Sequence, residues 1–193
     1  EEVLRSMNAA LTIFQVSLND AEARIKRILN GDDGDEGEDD TDDEEAIDLE
    51  QTARDQIIKS IESRFKTHDL ARLVDAVLRA QGFKTEVSPP GPDGGVDILA
   101  GSGSLGLDLP RLCVQVKSGG SAEGQKTYNE LLGVVSKFAS QQGLLVSWGG
   151  FTAPVKKDAQ KDFFRMRLWD QGDLVNAVLE NYERLDDETK AEL

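Results

Sequence analysis

The acidic segment over residues 31–46, GDDGDEGEDDTDDEEA, limits most strongly what this chain can fold into. Residues 32–50 contain 13 of the 37 acidic residues of the chain and neither Lys nor Arg. A segment of like charge with so few apolar side chains cannot form a packed core. We therefore predict that residues 31–47 form a disordered acidic linker, whose simplest role is that of a solvated spacer.

This linker determines the predicted domain organisation. Residues 1–30 are too few for a domain of their own. They contain a predicted strand over 10–16 and a predicted helix over 19–29, so we expect them to be the C-terminal remnant of an N-terminal module. Residues 48–193 are long enough for one complete domain.

The remainder of the chain is nearly neutral, although the net charge of the whole is −15. Outside residues 32–50, the chain has 24 acidic and 22 basic residues. The acidity is therefore local, and it does not exclude a nucleic-acid partner, provided that the cations gather on one face.

The apolar periodicity after the linker predicts an α/β fold. Helices are predicted over 48–65, 68–83, 124–139, 154–163 and 173–185, and strands over 84–88, 95–100, 111–117, 143–148 and 165–170. Three consecutive strands followed by alternating strands and helices indicate a mixed β-sheet flanked by helices.

The cysteine content and the apolar runs bear on the compartment. Cys113 is the only cysteine and lies within an apolar run, so a disulfide framework is excluded and a reducing cytoplasm is favoured. No apolar run approaches the roughly 20 residues of a membrane span. We expect a cytoplasmic protein that does not contact a membrane.

Polar residues interrupt two of the predicted strands. Gln115 and Lys117 point to the same face of their strand because side chains alternate with a period of two. If this strand pairs with the preceding one, Asp97 joins them. The Asp97 carboxylate, the Gln115 amide oxygen and the Val116 carbonyl could then bind a hard divalent cation, with Lys117 beside a phosphate or a metal-bound water. The alternative is structural: Asp97 caps a turn and Lys117 extends into solvent.

The order of several motifs favours the first interpretation. GPDGGVDILA, LCVQVKS, GLLVSWGGFT and RLWDQGDLVNAVL follow one another as in a known family. From about residue 66 to 185 the sequence resembles the Mrr-type restriction endonuclease catalytic domain of the PD-(D/E)xK nuclease superfamily. The resemblance implies a restriction-endonuclease-like fold and a Mg²⁺- or Mn²⁺-dependent endonuclease that hydrolyses double-stranded DNA with a metal-activated water.

The resemblance also implies roles for individual residues. Asp97 resembles the metal-binding aspartate and Lys117 the catalytic lysine. Gln115 stands where most of the superfamily has glutamate, and glutamine there is typical of the Mrr branch. Asp93, in the glycine turn before the catalytic strand, is a weaker candidate.

One position departs from the family pattern. Many members carry a glutamate on the first helix of the domain, and the alignment of DLARLV puts Ala71 there. Asp75 lies one helical turn further on the same face and could take this role. The alternative is that Asp75 is an exposed, solvated side chain.

The sequence leaves several alternatives open. The domain could be a catalytically weak DNA-binding or regulatory module that keeps the nuclease fold. It could act as a homodimer or by sequential nicks, on DNA with or without modified bases. The acidic segment could be an arm that competes with DNA for a basic site.

Overall fold

The computed structural model describes residues 40–89, 95–138 and 140–193, with side chains from residue 51 onward apart from that of Ala53. The chain forms two compact units, Glu1–Lys59 and Ser60–Leu193. The helices are α1 (Asp40–Arg64), α2 (His68–Ala80), α3 (Gln125–Lys137), α4 (Ala153–Lys161), α5 (Gln171–Asn181) and α6 (Asp187–Glu192). The strands are β1 (Lys84–Val87), β2 (Ile98–Ser102), β3 (Asp108–Lys117), β4 (Gln142–Ser147) and β5 (Met166–Trp169).

Helix α1 begins at Asp40, within the segment that the sequence predicts as linker. Acidic residues in a first helical turn are favourable because they face the positive end of the helix dipole. The acidic sequence that prevents core formation is thus compatible with the start of a helix. Residues 1–39, with their predicted strand and helix, lie outside the described residues, and the division into three domains stays a prediction.

The five strands of the second unit form one mixed sheet in the order β1-β2-β3-β4-β5. Strand β2 is antiparallel to both of its neighbours, β1 and β3, whereas β3, β4 and β5 run parallel. This confirms the predicted α/β architecture. Because β3, β4 and β5 are parallel, their carboxyl ends lie at the same edge of the sheet.

Helices cover both faces of the sheet. Cys113 of β3 and Leu145 of β4 pack with Tyr128 and Leu131 of α3 and with Val155 of α4. The alternate residues of β3 point to the other face. There α2 packs against β1, β2, β3 and α5.

The end of the chain differs from the prediction. The helix predicted over 173–185 ends at Asn181, is followed by a 3₁₀ turn over Tyr182–Arg184, and gives way to α6. A helix of six residues is too short to show an apolar period. No helix in the described ranges is both long and apolar enough to span a bilayer.

Candidate active site

The start of β2 and the end of β3 bring the predicted site residues together. The Asp97 carboxylate accepts the backbone N–H of Val116 through Oδ2 at 2.7 Å. The Asp97 N–H donates to the carbonyl of Val114 at 2.9 Å. Asp97 therefore lies beside residues 115–117, as the pairing of the two strands predicted.

Asp97 lies just before the strand rather than within it. The predicted strand starts at residue 95, whereas β2 begins at Ile98. The hydrogen bonds explain this difference. The Val116 N–H donates to the Asp97 side chain, and this bond replaces the backbone hydrogen bond that would extend the β2–β3 pairing. The carboxylate is held at the strand end by the backbone itself.

Gln115 presents a buried amide beside this carboxylate. The residue is 5% exposed, and its Oε1 has no hydrogen-bond partner among the residues that the structure describes. Gly95 has φ +88°, and a Cβ at Gly95 would lie 3.7 Å from Gln115 Nε2. The positive φ favours glycine at the turn into β2, and the 3.7 Å distance shows that Gly95 lies directly beside the Gln115 amide.

The Val116 carbonyl faces the same edge of β3 as its N–H. In a strand, both backbone groups of one residue point toward the same neighbouring strand. Because the Val116 N–H is bonded to Asp97, its carbonyl oxygen also points toward the Asp97 side. The three predicted oxygen donors, on Asp97, Gln115 and Val116, thus belong to one end of the β2–β3 pair.

Lys117 closes β3 and is half-buried. Its carbonyl accepts the N–H of Trp148 at 2.9 Å, and it is paired in register with Ser147 of β4. Across the described ranges no carboxylate lies within ion-pair distance of Lys117. The ammonium group is therefore not committed to a structural ion pair there.

The loop after Lys117 is fixed by the loop after β4. The Glu123 N–H donates to the carbonyl of Gly150, and the Thr152 N–H donates to the carbonyl of Glu123. A Cβ on Gly149 would lie 2.3 Å from the Ser121 carbonyl oxygen, so only glycine permits this approach. These contacts fix the loop that follows Lys117 against the loop that follows β4.

Asp75 does not occupy an exposed position, contrary to the solvated alternative. The residue is 7% exposed, and its Oδ2 accepts from Arg79 Nε at 2.9 Å. Arg79 Nη2 also donates to Asp186 Oδ2 at 3.1 Å. Through Arg79, Asp75 is connected to the turn before α6, and its role in the site stays a prediction. Ala71 is buried, and Asp93 lies outside the described residues.

The donor set suits a hard cation. No group of three or more His, Cys, Asp or Glu side chains within the described part of the chain could hold a metal ion. Mg²⁺, however, is commonly bound through one or two carboxylates, waters and substrate phosphates. A buried amide oxygen without a partner costs about 1–3 kcal/mol, and a cation or its water would satisfy Gln115 Oε1.

The structure adds one residue that the sequence interpretation missed. Ser147 is fully buried beside Lys117, and its Oγ has no hydrogen-bond partner among the described residues. In the sequence, the feature that could have indicated this residue is a hydroxyl side chain at the end of the apolar run GLLVS. Cys113, in contrast, is a core residue: burial raises the pKa of its thiol, which disfavours a nucleophilic thiolate.

A comparison with protein families shows which family the chain belongs to. The model of the Mrr catalytic domain, described as restriction endonuclease, matches residues 62–178. The chain belongs to this restriction endonuclease family. The matched residues include α2, the whole sheet and the predicted site residues. No curated protein sequence is significantly similar to the chain.

Solved structures show the same fold. The DNA modification-dependent restriction endonuclease AspBHI superposes with a TM-score of 0.55 at 18% identity, over 72% of this chain and 38% of that one. The MspJI restriction endonuclease, solved with a 27-mer oligonucleotide, gives 0.52 at 19% identity, over 70% of this chain and 33% of that one. The chain therefore spans 38% of the AspBHI chain and 33% of the MspJI chain, which is about a third of each.

Proposed function

We propose that this domain is a divalent-metal-dependent DNA endonuclease that hydrolyses phosphodiester bonds of double-stranded DNA. The observation that carries the proposal is the hydrogen bond from the Val116 N–H to the Asp97 carboxylate. It joins the carboxylate to the strand end that presents Gln115 and Lys117. The family membership supports the same chemistry.

Each residue has a distinct task in this proposal. Asp97, Gln115 and the Val116 carbonyl hold Mg²⁺ or Mn²⁺, which when bound supplies a water of lowered pKa and neutralises phosphate charge. The backbone bond fixes the Asp97 carboxylate before substrate arrives, so little reorganisation is needed. Lys117 orients the attacking water or stabilises the negative charge that develops on the phosphate.

The wider biological role is part of the same proposal. We propose a restriction enzyme of the Mrr type that acts in the cytoplasm. The likeness to AspBHI, a DNA modification-dependent restriction endonuclease, supports modified DNA as its substrate. Recognition of the modification would belong to another module, since the AspBHI and MspJI chains are about three times as long as their matched parts.

The test is cleavage of methylated and unmethylated plasmid with Mg²⁺, Mn²⁺ or EDTA, by the parent chain and by Lys117→Ala. We expect metal-dependent cutting that falls at least about a hundredfold in the variant, because charge stabilisation at the transition state is lost. Lys137→Ala, at the end of α3 near the opposite sheet edge, is the control and keeps the parental rate. The unfolding transition of all three proteins should coincide.

The second candidate, a DNA-binding module without activity, draws on the small number of carboxylates in the described site. It predicts DNA binding without cutting on any substrate with either metal. Cutting by Lys117→Ala at the parental rate would contradict the assignment of Lys117.

A further inference from the structure

A cavity of about 430 Å³ opens beside Lys117 and takes no part in the proposed hydrolysis. It lies within the second unit, between the end of α1, the start of α2 and the loops that follow β3 and β4. Ser118 and Gly119, the two residues after Lys117, line it. Trp148 lines another side of the cavity, and its backbone N–H donates to the Lys117 carbonyl.

The floor of the cavity is apolar and the rim is polar. Ile61, Phe65 and Leu70 line it and are at most 3% exposed. Trp148 is half-buried, so part of its indole remains accessible. Ligand sites usually combine such an apolar floor with a few polar groups that orient the ligand.

Two polar groups at the rim suit a nucleotide. Glu62 Oε1 accepts from Trp148 Nε1 at 3.4 Å, which orients the indole. A carboxylate accepts several hydrogen bonds, so Glu62 can also accept an N–H from a ligand. Lys66, exposed at the same rim, supplies a cation for a phosphate.

The backbone at the rim is strained. Thr67 has φ 51° and ψ −113°, and it is the one non-glycine residue with positive φ in the described ranges. Such a conformation is costly for a β-branched residue, and strain of this kind concentrates at functional sites. It shapes the turn between α1 and α2 that borders the cavity.

We propose that this cavity binds one unstacked DNA base next to the cleaved phosphodiester, with the base stacked on Trp148 and an N–H of its edge donated to Glu62. The proposal rests on the proposed function: Ser118 and Gly119, which line the cavity, directly follow Lys117 in the chain, so a phosphodiester bound at the end of β3 would lie beside the cavity. All four bases carry an N–H donor and an aromatic face, so the contact tolerates any sequence.

The test uses Trp148 emission, which a stacked base quenches. Trp169→Phe leaves Trp148 as the single tryptophan, and Lys117→Ala in the same chain prevents cutting. The probes are a duplex with one unpaired cytosine and the same duplex with an abasic nucleotide there, because an unpaired base costs least to extrude. Anisotropy of a dye on the DNA measures binding separately.

We expect the cytosine duplex to quench Trp148 and to bind about tenfold more tightly than the abasic duplex. In a second variant with Trp148→Leu, this difference in affinity should disappear while binding of the abasic duplex stays the same. Phe164→Ala, an exposed aromatic residue before β5 at the opposite sheet edge, should keep the tenfold difference.

The proposal is overturned if DNA binds without quenching Trp148, or if both duplexes quench it equally. Both results are independent of cleavage, since the protein is inactive by design. Metal-dependent cutting by the parent chain without a base-dependent effect would leave the proposed function intact and remove the base site. If only the cytosine duplex quenches Trp148 and the parent chain does not cut DNA, the base site stands and the proposed nuclease function fails.

Discussion

Gln115 is the residue at which this site departs from the more common acidic pattern of the superfamily. Its amide is buried and neutral, so the site gains an oxygen donor without a second negative charge beside Asp97. The affinity of an oxygen site for a divalent cation depends on the number of charged ligands. If Gln115 binds the metal as proposed, we expect the neutral amide to raise the metal concentration that cleavage requires.

We expect Gln115→Glu to lower the Mg²⁺ concentration for half-maximal cleavage by roughly tenfold, because a second carboxylate joins the metal. Isothermal titration with Mn²⁺ and the Mg²⁺ dependence of plasmid cutting both measure this. Gln142→Glu, at the beginning of β4, tests for a general effect of added charge and should change neither quantity. An unchanged metal requirement in Gln115→Glu would remove Gln115 from the metal site.

At the scale of elements, two turns that precede helices differ in their energetics: one is strained and the other is stabilised by a cap. The turn between α1 and α2 carries the strained Thr67. The turn before α6 is stabilised by Asp186, whose carboxylate accepts the Thr189 N–H at 2.8 Å and bonds to Arg79.

Thr67→Gly should raise the free energy of unfolding by about 1 kcal/mol, because glycine adopts the same backbone angles without steric cost. This value is the net gain after the greater entropy of glycine in the unfolded chain is subtracted. Urea denaturation measures the change. Thr67→Ala, which removes the hydroxyl but keeps Cβ, is the matched control and should not stabilise. Equal effects of the two substitutions would show that the backbone angles are not the cause.

Asp186→Ala should lower the free energy of unfolding by about 1 kcal/mol at neutral pH, since α6 loses its cap. The Thr189 N–H lowers the pKa of this carboxyl, and Arg79 adds to the effect. The stabilisation is thus complete above the pKa of the unfolded chain, about 4, and is lost as the pH falls through the lower folded value.

Urea denaturation between pH 2 and 7 should therefore show the parent and Asp186→Ala converging only at the acidic end. Asp187→Ala, an exposed acidic residue in the first turn of α6, provides the comparison and should show a smaller loss. A pH-independent difference for Asp186→Ala would attribute the loss to packing instead of to the carboxylate.

At the scale of the whole molecule, charge is distributed very unevenly. The acidic residues over 32–50 account for most of the net charge of −15, and the rest of the chain is close to neutral. A polyanionic segment and DNA repel one another over distances of about a Debye length, roughly 10 Å at 0.1 M salt. We therefore expect the segment to weaken DNA binding wherever it comes within about this distance of the bound DNA.

Replacing the acidic residues over 32–45 by Asn and Gln should tighten DNA binding several-fold at 0.05 M salt and much less at 0.5 M, because salt screens the repulsion. Fluorescence anisotropy across a salt series measures this. A chain with residues 32–45 shuffled keeps the charge and should bind as the parent does. A gain of the same size at every salt concentration would contradict an electrostatic cause.

The sequence by itself determined the order of strands and helices in the sheet-bearing unit, because apolar period and turn residues are local properties. It also predicted that Asp97, Gln115 and Lys117 share one patch, since alternation along a strand fixes the face and the ordered motifs indicated the pairing.

Only the tertiary structure decided what no local pattern encodes. The bond from the Val116 N–H to Asp97 depends on two strands 19 residues apart. The burial of Ser147, the bond from Arg79 to Asp186 and the cavity beside Trp148 depend on how α1, α2, the strand ends and the turn before α6 pack. Each arises where distant segments meet, and desolvation and shape at such contacts are set by the packed fold alone.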